Sequence, residues 1–359
     1  MTTSTEAIAQ IARAVLYEGY ILWPYRRSAI KNQQRWTFGG IYPREYAAQS
    51  GGADRSVIRT DVLFEPSKRG ARIEVSLRFL RIVVRQALEV GTNGLMTPTL
   101  DLVVDDRRVL SWDEATEREV SATIAVNALE ETRVAIRMPP GRDQELLRRD
   151  DGSVAGAIVR RWAAIDAVMT ISSSAVEVDD CDDRRSLRRI TVTVENNATW
   201  KGSATERENA LRRTLVSAHV VLHSDDGEFV STEDPPSDLC DATRTLRNDG
   251  VWPTLVGDRG DRHTLLATPI ILGDYPQIAP ESSGDFFDGG EIDQLLVLNV
   301  LALTEEEQSE MEATDPRARE ILQRCRTLGP AAAMRLHATM RPERFAEPAP
   351  LNLISGERA

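Results

Sequence analysis

Arg72-Ile73-Glu74-Val75-Ser76-Leu77-Arg78-Phe79 is the stretch that decides the fold. Polar Arg72, Glu74, Ser76 and Arg78 alternate with apolar Ile73, Val75, Leu77 and Phe79. A period of two places one set in a core and the other away from it, so the stretch predicts a half-buried strand. β-branched runs of strand length surround it at 57–64, 82–90, 100–104, 119–126 and 133–138, the last stopped by Pro139-Pro140. Asp105 to Arg108 reads as a turn before Val109-Leu110. Residues 141–156 are charged and read as a surface loop or short exposed helix. Strands resume at 168–178, 186–195 and 215–223, with an acidic turn at 179–183, and 205–213 looks helical. Asp225-Asp226-Gly227 is a hairpin signal.

Helices flank this β region. Ile8, Ile11, Val15 and Leu16 share one face of a helix over 7–16, which Ser4 or Thr5 can cap and Gly19 breaks. Thr304-Glu305-Glu306-Glu307 is a capping box. Asp315-Pro316 starts another helix that Leu328-Gly329-Pro330 should end, and 331–340 makes a last one. Between them, 234–290 is punctuated by Pro, Gly and Asp around one apolar strand, 264–272. The expected fold is therefore β-rich α+β, with antiparallel sheets (sandwich-like or an open barrel), an N-terminal helix and C-terminal helices. Its expected parts are 1–46, an N-terminal helix and docking segment; 47–230, the β core; 231–303, an irregular segment packed on it; 304–342, the C-terminal helices; and 343–359, a loosely ordered tail.

A chain of 359 residues with 41% hydrophobic and 28% charged residues fits a globular protein. There is no apolar run of 18 residues, so no membrane span is expected, and the polar N-terminus does not read as a secretory signal. Cys181, Cys240 and Cys325 are odd in number and far apart, against a disulfide framework or zinc site, which leaves the cytoplasm as the expected location. A net charge of −12 argues against general nucleic-acid binding. His219 and His223 have the spacing of helical metal ligands, but their surroundings favour a strand, where four residues span about 13 Å. No metal is expected there. His263 and His337 stand alone, and no nucleophile elbow, phosphate loop or dinucleotide fingerprint occurs. No catalytic residue and no cofactor is therefore expected. Asp274, Glu281, Asp285, Asp288, Glu291 and Asp293 form a possible acidic site able to take a hard cation, or serve a helix entry near residue 291.

One segment departs from the rest. Residues 17–43 hold seven aromatics in a chain that is 5% aromatic, together with Arg26, Arg27, Lys31 and Arg35 against one acid, Glu18. Tyr, Trp and Arg anchor interfaces because they offer rigid contact area with a polar tip. Tyr17, Tyr20 and Trp23 suit packing beneath the sheet. Tyr25, Arg26, Arg27, Lys31, Arg35 and Trp36 are expected to face a partner: an acidic protein surface, or an anionic cofactor or nucleotide.

Three stretches resemble an uncharacterised bacterial family associated with nickel–iron hydrogenase gene clusters of the actinobacterial kind. They are 16–29, Leu-Tyr-Glu-Gly-Tyr-Ile-Leu-Trp-Pro-Tyr-Arg-Arg-Ser-Ala, with Arg35-Trp36-Thr37-Phe38-Gly39; 269–281, Pro-Ile-Ile-Leu-Gly-Asp-Tyr-Pro-Gln-Ile-Ala-Pro-Glu; and Glu291-Ile292-Asp293-Gln294-Leu295-Leu296 with Leu303-Thr304. Asp315-Pro316-Arg317-Ala318 and Met334-Arg335-Leu336-His337 resemble its C-terminal end. The resemblance implies a role in hydrogenase assembly or in the complex, and supplies no catalytic residues. The expected function is thus a non-enzymatic accessory or assembly factor that docks a hydrogenase subunit or accessory protein. Two alternatives stand beside it: a small-molecule or metal-handling enzyme using the 274–293 acids and His263, and a structural subunit of a larger complex.

Overall fold

In the computed structural model, which describes residues 4–127, 131–177, 186–277 and 293–336, the alternating stretch opens a single strand from Arg72 to Val90. The elements before it are α1 (Ser4–Tyr17), α2 (Ile30–Gln33), α3 (Arg44–Gln49) and β1 (Val57–Pro66). That strand is β2 (Arg72–Val90), followed by β3 (Met96–Thr99), β4 (Asp101–Val104), β5 (Arg107–Leu110), β6 (Trp112–Ala125) and β7 (Thr132–Met138). Then come β8 (Gly141–Arg148), β9 (Val154–Trp162), β10 (Ile165–Val176), β11 (Leu187–Asn196), α4 (Arg207–Leu211), β12 (Val216–His223) and β13 (Gly227–Phe229). α5 (Cys240–Arg244), β14 (Trp252–Leu255), β15 (Thr264–Thr268), α6 (Asp293–Leu301), α7 (Glu305–Thr314) and α8 (Pro316–Leu336) complete the described chain.

The protein is mixed α+β with antiparallel sheets, an N-terminal helix and C-terminal helices. One sheet runs β13-β1-β11-β10-β7, a second runs β14-β15-β12-β2-β9-β8 with β3 and β6 also paired to β2, and β4 and β5 pair as a small two-stranded sheet. β2 is the spine. Its first half lies between β6 and β12, and its last residues lie between β9 and β3. The two large sheets pack face to face: Ile73, Val75, Leu77 and Phe79 share a core with Ile190, Val192 and Val194 of β11.

β2 is longer than the two strands its sequence suggested, because its register of burial changes. Odd residues to Phe79 enter the core between the sheets, whereas even residues Leu80 and Ile82 enter a second core on the other face. A strand buried on both faces loses its alternation, so Phe79-Leu80 and Ile82-Val83 are apolar on both faces, interrupted only by the buried Arg81. The second core takes Tyr17, Tyr20, Tyr25, Trp36 and Trp112 from the N-terminal side and Leu296, Val300, Met311 and Ile321 from the C-terminal helices.

Other differences have local causes. Residues 141–156 are not a loop or helix but the β8–β9 hairpin. β8 is an edge strand with most side chains exposed; its ladder bonds come from the backbone, so charged residues are tolerated there. Asp225-Asp226-Gly227 does not close a hairpin. It carries the chain to the opposite sheet, where β13 pairs with β1. Gly227 permits this crossing, since a Cβ there would lie 2.3 Å from the Glu65 carbonyl oxygen. The 234–290 region contributes two strands, β14 at the sheet edge beside β15. α8 continues through Gly329-Pro330 to Leu336. A proline removes one helical bond without ending the helix when strong formers follow, as Ala331, Ala332 and Ala333 do here. The Thr304–Glu307 capping box forms with both of its bonds. The turn at 179–183 and the tail, 343–359, lie outside the described residues.

Candidate functional site

The aromatic and basic segment is the joint between the outer sheet face and the C-terminal helices. Tyr20 donates its hydroxyl to Asp315 Oδ2 at 2.8 Å, and Trp112 donates its indole N–H to the same oxygen at 3.2 Å. Burial, with Asp315 alongside, raises the Tyr20 hydroxyl pKa well above its ordinary value. The other Asp315 oxygen accepts the Arg317 amide at 2.9 Å and so caps α8. Arg317 lies over the Tyr17 ring and bonds its hydroxyl. Arg35 sits between Trp36 and Trp112, 4.1 and 3.5 Å from their ring centres, and donates to the carbonyls of Tyr20 and Asp113.

These facts correct the expectation that Tyr25 through Trp36 faces a partner. Tyr25 is wholly buried, and Arg35 and Trp36 are each 6% exposed. Aromatic side chains on a segment with apolar surface on both sides gain more from burial than from water. Arg26 is half-buried and pairs with Glu307 of α7 at 2.9 Å. Arg27 stays partly exposed and Lys31 is exposed.

What remains outward is a small knob around α2. The buried side chain of Asn32 staples its base: it accepts from the Leu22 amide at 2.8 Å and donates to the carbonyls of Leu22 and Arg26. Ser28 is held on α7 by both oxygens of Glu310. The knob carries Ile30 at 83% exposure, the most exposed large apolar side chain among the described residues, between Arg27 and Lys31.

Beside the knob lies a cleft of about 700 Å³. Arg27, Arg35, Arg85, Arg207 and Arg212 line it, against the carboxylates Asp113 and Glu208. Burial pushes Arg35 down to about 10 and raises Asp113. Sequence reasoning missed this cleft because its arginines come from three separated parts of the chain.

Of the possible acidic site, only the side chain of Asp274 lies among the described residues. Asp274 is a structural staple: it accepts from Ser231 Oγ at 2.5 Å, Thr254 Oγ1 at 3.1 Å and the Leu255 amide at 2.8 Å. Glu281, Asp285, Asp288 and Glu291 lie outside the described residues, and Asp293 is the first residue of α6. No group of three or more His, Cys, Asp and Glu able to hold a metal ion occurs among the described residues. His263 Nδ1 faces the carbonyls of Ser224 and Gly227, both at 3.0 Å. It must therefore carry the proton and serves to close the turn.

His219 and His223 both lie on β12, as the sequence predicted. His219 is fully buried, its Nδ1 against the Ser217 carbonyl, and burial pushes its pKa down to about 4. A base with a depressed folded pKa favours the neutral native form. Its contribution is complete above the unfolded value near 6.5 and is lost as pH falls towards 4. Between pH 7 and 4 the unfolding free energy should therefore drop by up to about 3 kcal/mol more than in His219→Asn. Urea titrations at both pH values measure this, and parallel pH profiles for the two proteins would refute it.

No protein-family model matches the chain, and no curated protein matches it. Among the described residues no helix is long and apolar enough to cross a membrane. The class that fold and site define is an α+β protein of two large antiparallel sheets, with a stapled surface knob beside an arginine-lined cleft.

Proposed function

We propose that the protein is a non-enzymatic accessory or assembly factor for a nickel–iron hydrogenase, and that it docks an acidic face of a hydrogenase subunit or accessory protein through the knob at Arg27, Ile30 and Lys31. The observation that carries this reading is Ile30, held 83% exposed between two cations on a base stapled by Asn32. A rigid apolar anchor flanked by charge loses little entropy on binding and selects an oppositely charged rim. The motifs shared with the hydrogenase-associated family support the choice of partner.

The test is affinity capture from a host that carries a nickel–iron hydrogenase gene cluster, read by mass spectrometry. Wild-type protein should recover hydrogenase polypeptides. The double variant Ile30→Asp, Lys31→Glu should recover at least about tenfold less with an unchanged unfolding midpoint, because both side chains are exposed. Failure of the wild type to recover those polypeptides, or equal recovery by the variant, sinks the docking role.

A further inference from the structure

We propose that the cleft beside the knob binds a phosphate-bearing small molecule, a role separate from docking at Ile30 and Lys31. Its volume of about 700 Å³ suits a small ligand. Five arginines line it against two carboxylates, Asp113 and Glu208, on a chain whose net charge is −12.

The way these arginines are held leaves their charge in place. Arg35 donates to the Tyr20 and Asp113 carbonyls. Arg207 donates to the Arg35 and Trp36 carbonyls and to the Tyr42 hydroxyl. Carbonyls and hydroxyls satisfy hydrogen bonds without cancelling a cation. Of the five, Arg85 does have a carboxylate, Glu114, at 2.9 Å. Arg35 and Arg207 thus form a fixed positive wall with most donors spent, while the charge of Arg85 is balanced by Glu114.

Arg27 and Arg212 supply the donors. The Arg27 guanidinium has no hydrogen bond or ion pair with the described residues. Arg212 gives one bond to Asn209 at 3.0 Å, while its Nε is buried without a partner. The indole N–H of Trp36, a cleft residue 6% exposed, is also buried and unpartnered. The two buried side-chain atoms without a partner among these cleft residues, Trp36 Nε1 and Arg212 Nε, are thus both donors, which favours a ligand rich in acceptors.

Phosphate fits this better than a carboxylate. It carries up to two charges and presents oxygens in several directions, so guanidinia from the knob and from the end of α4 can share it. A carboxylate is satisfied by one bidentate arginine. The high-lying carboxyl of Asp113 can then meet a hydroxyl or amine on the rest of the ligand.

Inorganic pyrophosphate is the probe, titrated calorimetrically into the full chain at low ionic strength, with sulfate and citrate as comparison anions. One saturable site is expected, at least about tenfold tighter for pyrophosphate than for either. Arg27→Gln should weaken it about tenfold, and Arg27→Gln with Arg212→Gln should abolish it. The single variant Ile30→Ser, which leaves every charge in place, should weaken docking yet bind pyrophosphate as wild type, so loss of docking and loss of anion binding are separate results. Absence of saturable binding, equal affinity for the three anions, or undiminished binding by Arg27→Gln overturns the assignment. The Arg27 variant decides the matter even where Arg212→Gln does not fold.

Discussion

Asp315→Ala is expected to lower the unfolding free energy by about 3–5 kcal/mol, the largest effect of any single polar substitution considered for this protein. Asp315 is 1% exposed and holds three donors. Alanine removes the carboxylate oxygen that accepts from the buried Tyr20 hydroxyl and Trp112 indole N–H, each lost bond costing about 1–3 kcal/mol. It also removes the cap of α8, worth about 1 kcal/mol. Asp315→Asn keeps the shape and can still cap α8, but offers an N–H2 where two donors already point. It should therefore lose nearly as much. Urea unfolding followed by tryptophan fluorescence reads the change directly. A loss below about 1 kcal/mol for both variants would show that the C-terminal helices are not coupled to the aromatic layer through this carboxylate.

Arg85→Met is expected to cost about 2–4 kcal/mol. Methionine preserves the apolar stem of this buried side chain and deletes its guanidinium. That group donates from β2 to the carbonyls of Ala313 at 3.2 Å and Thr314 at 2.7 Å, the last turn of α7. A cation at a helix C-terminus also meets the negative end of its dipole. The Leu110 carbonyl loses its partner as well, and Glu114 is left with Arg160 alone. Since Thr314 and Asp315 are adjacent, Arg85→Met and Asp315→Ala act on one joint. The double variant should cost less than the sum by at least about 0.5 kcal/mol. Strict additivity would mean that the two side chains hold independent pieces.

Much of the frame was readable before any coordinates. Period-two alternation placed the first half of β2, strand-length runs placed β10, β11 and β12, and the Thr304–Glu307 capping box placed the start of α7, because these signals are local. β8 escaped because an edge strand needs no apolar face, and β13 because its partner is β1 rather than its sequence neighbour. The knob was half legible: residues 26–36 stood out by composition, but composition does not separate buried Arg35 and Trp36 from exposed Ile30 and Lys31. The cleft was not legible at all, since Arg27, Arg85 and Arg212 become neighbours only through the packing of α4 and the knob on β2.

By itself, then, the sequence determined the antiparallel α+β frame, the flanking helices and the unusual weight of residues 17–43, all of which follow from spacing and composition over a few residues. Only the tertiary structure decided which side of that segment is core and which is surface. Burial depends on what packs from afar, here the C-terminal helices brought onto Tyr20 and Trp112 by Asp315, almost 300 residues from the tyrosine that it holds.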